Sequence, residues 1–195
     1  MVAAGQLPAA VWRWDPQAKI LLPLIDRASI AAPNGTSLSP LFTVTSSSAH
    51  TTGVRVSPDQ RTLYVTSSVT TVMGDAMPGL DSSSPTIYSF DLDHRLRPTN
   101  RQVFGLVRDG IADGIHVDDA GRVWTGEAGG ITVRRDDGKV LGEFNRNFFV
   151  SASNASTAAA NFALAGDTLV FLGVDKLWTI KLGETLVTAG SSIAN

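Results

Sequence analysis

The chain contains no cysteine, so a thiolate nucleophile, a thiolate metal site and a disulfide framework are all excluded, and any metal it holds must be bound through oxygen or imidazole. Its histidines offer little. His50 lies in a Ser/Thr-rich stretch, His94 in a turn and His116 on a strand two residues beyond Gly114, and lone histidines are more often surface or packed residues than catalysts. Adjacent carboxylates occur at Asp118-Asp119 and Asp136-Asp137, but each pair sits between short apolar runs and beside a glycine, which is how hairpin turns are written. Asp113-Gly114, taken alone, is a turn entering a strand. No Gly-rich phosphate loop and no Gly-x-Ser-x-Gly elbow is present, so neither nucleotide chemistry nor serine hydrolysis has a foothold.

The elements that must position these residues are short strands. A chain of 195 residues with 43% hydrophobic and 17% charged residues has a globular composition. A formal charge of −2, from 16 basic and 18 acidic residues scattered along the chain, provides no basic stripe for nucleic acid or anionic lipid. The longest apolar run, Ile20 to Ile25, is interrupted by Pro23 and is far shorter than the roughly 20 residues that cross a bilayer. Met1 to Leu7 shows no basic segment followed by an apolar core, and the compartment stays unassigned.

From Asp113 to Phe144 the sequence predicts a four-stranded meander, Gly114–Val117, Arg122–Thr125, Gly130–Arg134 and Lys139–Phe144, joined by Asp- and Gly-containing turns. The same order recurs upstream as Val54–Val56, Thr62–Thr66, Thr86–Phe90 and Arg101–Phe104. Downstream, three strands are expected at Asn161–Leu164, Thr168–Leu172 and Lys176–Lys181. At the front, Val11–Trp14 and Lys19–Leu22 match the last two strands of such a unit. Radially repeated four-stranded units make a β-propeller, which needs four to eight of them to close. The expected fold is therefore all-β, a partial propeller of about two and a half to three blades that begins in mid-blade. A small β-sandwich is the plainer alternative. Trp12, Trp14, Trp124 and Trp178 fall on strands and are expected to pack between blades.

Two stretches interrupt the repeat. Residues 36–53 are rich in Ser and Thr and nearly uncharged, which reads as loop or low-complexity sequence, and residues 67–85 form a second long connection containing Met73 and Met77.

The ordered set Gln6-Leu-Pro8, Val11-Trp-Arg-Trp-Asp-Pro16, Ala32-Pro-Asn-Gly35, Val54 to Thr66, Ile87 to Asp93, Ala112 to Trp124 and Asn161 to Leu169 resembles the gluconolactonase/regucalcin-like propellers, in particular their fungal lactonohydrolase branch. The resemblance covers most of residues 1–182 outside the two long stretches, leaving 183–195 as a tail. It implies a six-bladed propeller of which this chain is the C-terminal half, and hydrolysis of a small sugar-type lactone. It also implies a divalent cation on oxygen ligands, Ca²⁺ foremost with Zn²⁺, Mg²⁺ or Mn²⁺ as substitutes. Asn34 of the Pro-Asn-Gly motif would be one ligand. Asp113, where the family has Pro-Asp-Gly, would be another and the general base that activates water.

The chain departs from that pattern in three ways. The family's other Glu and Asn ligands belong to earlier blades, ahead of Met1. Ala9-Ala10 stands where the family has Asn-Gln, and Ala112 replaces a proline. Excising Thr36 to Gly53 joins Gly35 to Val54 and restores one continuous motif, so these 18 residues read as a translated intron, with a channel-mouth loop as the rival reading. On this reading the chain is an incomplete and inactive lactonase. The alternative is a non-catalytic propeller-like binding module, since one fold hosts many functions.

Overall fold

Thr62-Leu-Tyr-Val-Thr66 is apolar on both faces of a strand and therefore needs a covering layer on each side. In the computed structural model Leu63 and Val65 are buried on one face and Tyr64 and Thr66 on the other. The structure describes residues 10–15, 17–26, 34–38, 43–47, 53–67, 85–148, 159–173 and 176–186.

The described residues form an all-β structure of antiparallel sheets. The second sheet holds β5 (Val54–Val56), β6 (Thr62–Ser67), β7 (Thr86–Leu92) and β8 (Pro98–Leu106) in sequential order. The third repeats that order with β9 (Ile115–Val117), β10 (Val123–Glu127), β11 (Gly130–Arg134) and β12 (Val140–Asn145), closed by a 3-10 turn at Arg146–Phe148. These eight strands lie where the sequence predicts them, to within a few residues at their ends.

The repeat extends to the turns. Between β5 and β6, Ser57 N–H donates to Thr62 O and Gln60 N–H to Ser57 O. Between β9 and β10, Asp118 N–H donates to Arg122 O and Gly121 N–H to Asp118 O. Gln60 and Gly121 both take positive φ, 60° and 78°, at this shared point. The β7–β8 and β11–β12 connections match in the same way, with Leu96 N–H on Asp93 O and Gly138 N–H on Arg135 O. The adjacent carboxylates thus serve turns: Asp118 accepts the Ala120 and Arg122 N–H groups and the Trp124 indole, and Asp137 accepts Lys139 N–H.

The first sheet departs from sequential order. It contains β1 (Ala10–Asp15), β2 (Ile20–Asp26), β3 (Asn34–Leu38) and β4 (Thr43–Ser47), arranged β2-β1-β4-β3. Part of the stretch read as loop is therefore a hairpin. Its Thr43–Ser46 pair with Val11–Trp14 of β1, and its β3 occupies the edge where the other sheets place their first strand. Alternating Thr and Val is strand-compatible chemistry once a partner edge is available, and β1 supplies that edge. The long connection at 67–85 falls almost wholly outside the described residues, whereas residues 183–186 of the expected tail extend β14 and bury Leu186 in the core.

The two strands expected at Asn161–Leu164 and Thr168–Leu172 fall within one extended segment, β13 (Ala159–Gly173). It pairs with β14 (Lys176–Leu186), with a register shift between Gly166 and Thr168.

Among the described residues, two cores lie between sheets, and a third lines one face of the second sheet. Val54, Val56, Leu63, Val65 and Phe90 bury one face of the second sheet. Tyr64, Ile87 and Phe104 on its other face meet Ile115, Val117 and Val123 of the third. Trp124, Ile131 and Val133 then meet Phe162, Leu164, Leu169, Phe171 and Leu186 of the last hairpin, with Trp178 half-buried beside them. Edge strands follow one another across the structure, β3 beside β5, β5 beside β9 and β9 beside β13.

Candidate active site at the adjoining sheet edges

The edge strands β5 and β9 bring the start of one sheet against the start of the next, and Asp113 stands just ahead of β9. Its backbone is pinned on two sides. Asp113 N–H donates to Gly126 O at 2.8 Å, and Gly126 N–H returns to Gly114 O at 2.9 Å. On the β5 side, a Cβ added to Gly53 would lie 2.6 Å from the Asp113 carbonyl oxygen and 2.6 Å from Ile115 Cγ2, so a glycine is required for the strands to approach. Gly53 also accepts the Thr66 N–H through its carbonyl at 3.0 Å. The residue before Asp113, Ala112, is fully buried, which suits the small side chain found where the family has proline.

Asp113 itself is half-buried, and burial pushes its carboxyl up from the ordinary aspartate value with no opposing cation. A carboxylate raised toward neutrality is a better proton acceptor for water than an ordinary one.

Asn34, the other predicted site residue, opens β3 opposite Ser47 of β4. β3 lies against β5 and β5 against β9, so Asn34 and Asp113 begin edge strands separated by one strand, β5. Excision of residues 36–53 would put Asn34 and Gly35 directly ahead of β5. Gly53 instead fills the close-packed position there, and Asn34 heads a strand of its own.

The sequence reading gave His116 no role and overlooked Arg55. Both alternate with apolar residues on the edge strands, Arg55 between Val54 and Val56 and His116 between Ile115 and Val117. The His116 ring lies 4.8 Å from the Phe162 ring, and its buried Nδ1 has no hydrogen-bond partner. Burial, reinforced by the Arg55 charge and opposed by a backbone contact with Phe162, lowers its pKa to about 4. The imidazole is therefore neutral near pH 7 and is not a proton donor there.

A second feature no motif announced is a buried ion pair. Arg134 Nη1 lies 2.6 Å from Glu127 Oε1, and both side chains are 1% exposed. The alternation of β10 and β11 was legible, but the expected strand ended at Thr125 and left Glu127 in the turn, whereas β10 runs on to Glu127 and the side chain is buried.

As a cation site the described donors are a partial set. Asp113 offers a desolvated carboxylate, yet no group of three or more His, Asp or Glu converges among the described residues. Ca²⁺ takes about six to eight oxygens. A carboxylate such as that of Asp113 is the kind of oxygen donor such a cation takes, and the described residues alone do not complete its shell.

The family described as the SMP-30/gluconolactonase/LRE-like region matches residues 3–159. A gluconolactonase from Zymomonas mobilis is 30% identical over 103 residues, covering 49% of this chain and 26% of that protein. Among solved structures, a gluconolactonase from Xanthomonas campestris superimposes with a TM-score of 0.62 at 26% identity, over 92% of this chain and 47% of its own. The periplasmic gluconolactonase of Pseudomonas aeruginosa gives 0.51 at 16% identity, over 87% of this chain and 45% of its own. The chain thus spans about half the length of these structures.

Proposed function

Because this chain belongs to the SMP-30/gluconolactonase/LRE-like family, we propose that it carries part of the active site of a lactone hydrolase acting on a small sugar-type lactone, with Asp113 as general base. The observation that supports Asp113 above the other carboxylates is its seat. Asp118 and Asp137 are spent on turn hydrogen bonds, whereas Asp113 is half-buried at an edge strand with its carboxyl raised by burial. A water held by Asp113 would pass it a proton while its oxygen attacks the lactone carbonyl. The ring C–O bond then breaks and the departing alkoxide takes up a proton to give the hydroxy acid.

A divalent cation, when bound, would polarise that carbonyl. Asn34 and Asp113 are the ligands this chain contributes, and Ca²⁺ is the first candidate on the chemistry of oxygen donors. The relatives' greater length leaves room for the remaining donors in a further part of a propeller. This part of the reading makes the 195 residues inactive by themselves.

The test is hydrolysis of a sugar lactone by this chain with Ca²⁺ and with a chelator. No rate above the buffer is expected, and a robust chelator-sensitive rate would overturn the incompleteness. In any longer form that is active, Asp113→Asn should cut kcat about 10²–10⁴-fold. The parent's kcat/KM should rise with pH as the Asp113 carboxyl ionises, since the carboxylate must be ionised to accept the proton; burial raises that pKa in the metal-free chain and a bound cation would pull it back down. The same substitution should stabilise the fold at neutral pH. A carboxyl whose folded pKa is raised contributes stability below its unfolded pKa and loses it as pH rises through the folded one. Denaturant melts of the two proteins at pH 7 check the sign.

A further inference from the structure

Resting on the reading that Asp113 is the working carboxylate, we propose that Glu127 and Arg134 are a positioning pair that sets the seat of Asp113 by clasping the two chain segments it hangs between.

The first segment is the connection from β8 to β9, whose last residues lead into Asp113. Arg134 Nη2 donates to Leu106 O at 3.0 Å, and Arg108 N–H donates to Glu127 Oε2 at 2.9 Å. The connection is pressed onto the β10–β11 hairpin. Ala128 N–H donates to Asp109 O at 3.1 Å, and a Cβ on Gly110, at φ 65°, would lie 2.5 Å from the Ala128 methyl.

The second segment is the end of β10. Glu127 directly follows Gly126, whose N–H and C=O make the two bonds that pin Asp113 and Gly114. Within the pair, Glu127 Oε1 accepts the Thr125 hydroxyl at 2.7 Å and lies 2.6 Å from Arg134 Nη1, which also donates to Thr125 Oγ1 at 2.6 Å. Gly105 lies alongside the arginine, where an added Cβ would meet Arg134 Nε at 3.4 Å, an ordinary van der Waals contact.

An ion pair this buried is a poor device for stability, because desolvating two charges offsets most of their attraction and apolar replacements are often neutral. What the pair supplies is direction. Each partner spends a hydrogen bond on the backbone of the connection, at Leu106 and Arg108, and a hydrocarbon core would leave that backbone without those partners.

The experiment uses the ¹⁵N-labelled 195-residue chain and the double variant Glu127→Leu/Arg134→Leu, comparing thermal midpoints and amide hydrogen exchange. A positioning pair predicts nearly unchanged melting, with exchange at Arg108, Asp113 and Ala128 accelerated about tenfold or more relative to Leu169 and Ile180 in the last hairpin. Exchange at those three amides no faster than at Leu169 and Ile180 would overturn the proposal.

Should the double variant fail to fold, Glu127→Gln gives the same readout. Its Oε1 keeps Arg134 and Thr125, while its Nε2 meets Arg108 N–H donor to donor. Local acceleration at Arg108 and Asp113 supports the pair's role, and uniform acceleration across both sheets defeats it. In an active longer form, Glu127→Gln should lower kcat with KM unchanged. Failure of the lactonase reading alone would appear as no lactone hydrolysis by any longer form, with the exchange pattern of the 195-residue chain intact.

Discussion

The two faces of the third sheet are made by the same two strands and solve opposite problems. Toward the last hairpin, β10 and β11 present Trp124, Ile131 and Val133 to Phe162, Leu164, Leu169 and Phe171, and Trp124 stacks on Phe144 at 5.8 Å. Toward the second sheet, the alternate positions start apolar at Val123 and turn polar at Thr125, Glu127, Thr132 and Arg134, all buried. Apolar burial stabilises without specifying direction, and its free energy scales with area. The polar face holds bonds of fixed geometry, and it is the face nearest the connection that delivers Asp113. Apolar contact covers one face of the sheet, and the polar pair on the other face bonds the chain segment that leads into Asp113.

Arg134→Met alone should break this contrast most severely, costing about 3–5 kcal/mol because Glu127 is left charged and buried. Denaturant melts measure it, with the double leucine variant as the control that recovers most of the loss. Leu169→Ala, on the apolar face, should cost about 2–5 kcal/mol through lost transfer energy and a cavity, while leaving exchange at Asp113 unchanged relative to its neighbours. Gly53→Ala should cost about 1–3 kcal/mol by overpacking, and its chemical-shift changes should centre on Asp113 and Ile115, the groups its Cβ would strike.

The smallest expected effect is a pH slope. His116 has its folded pKa lowered from 6.5 to about 4, so the unfolded chain binds the extra proton first and stability falls as pH drops from 6.5 toward 4. At pH 5.5 the loss relative to neutral pH is about 1 kcal/mol, and His116→Phe, which keeps a ring against Phe162, should flatten it. Melts at several pH values decide the point.

Much of this was legible because it is local. Ser57-Pro-Asp and Asp118-Asp-Ala-Gly mark equivalent turns, and period-2 alternation gives the eight strands of the second and third sheets, since the turn chemistry and the side-chain period are properties of neighbours in sequence. Asp113 was legible as a candidate through the motif that surrounds it. The strand character of 36–38 and 43–47 was not, because Ser and Thr form strands only where an edge is waiting, and β1 lies about thirty residues upstream.

The sequence by itself determined the all-β class, the repeating turns, the absence of thiol chemistry and the family whose residues surround Asn34 and Asp113. The tertiary structure decided which strand heads each sheet edge, so that Gly53 rather than Gly35 packs against Asp113 and Asn34 begins a strand of its own. It also decided that Glu127 and Arg134 are buried and paired. Both are long-range facts: a hydrogen bond or a desolvated charge depends on which distant segment comes to lie across it, and no local spacing records that.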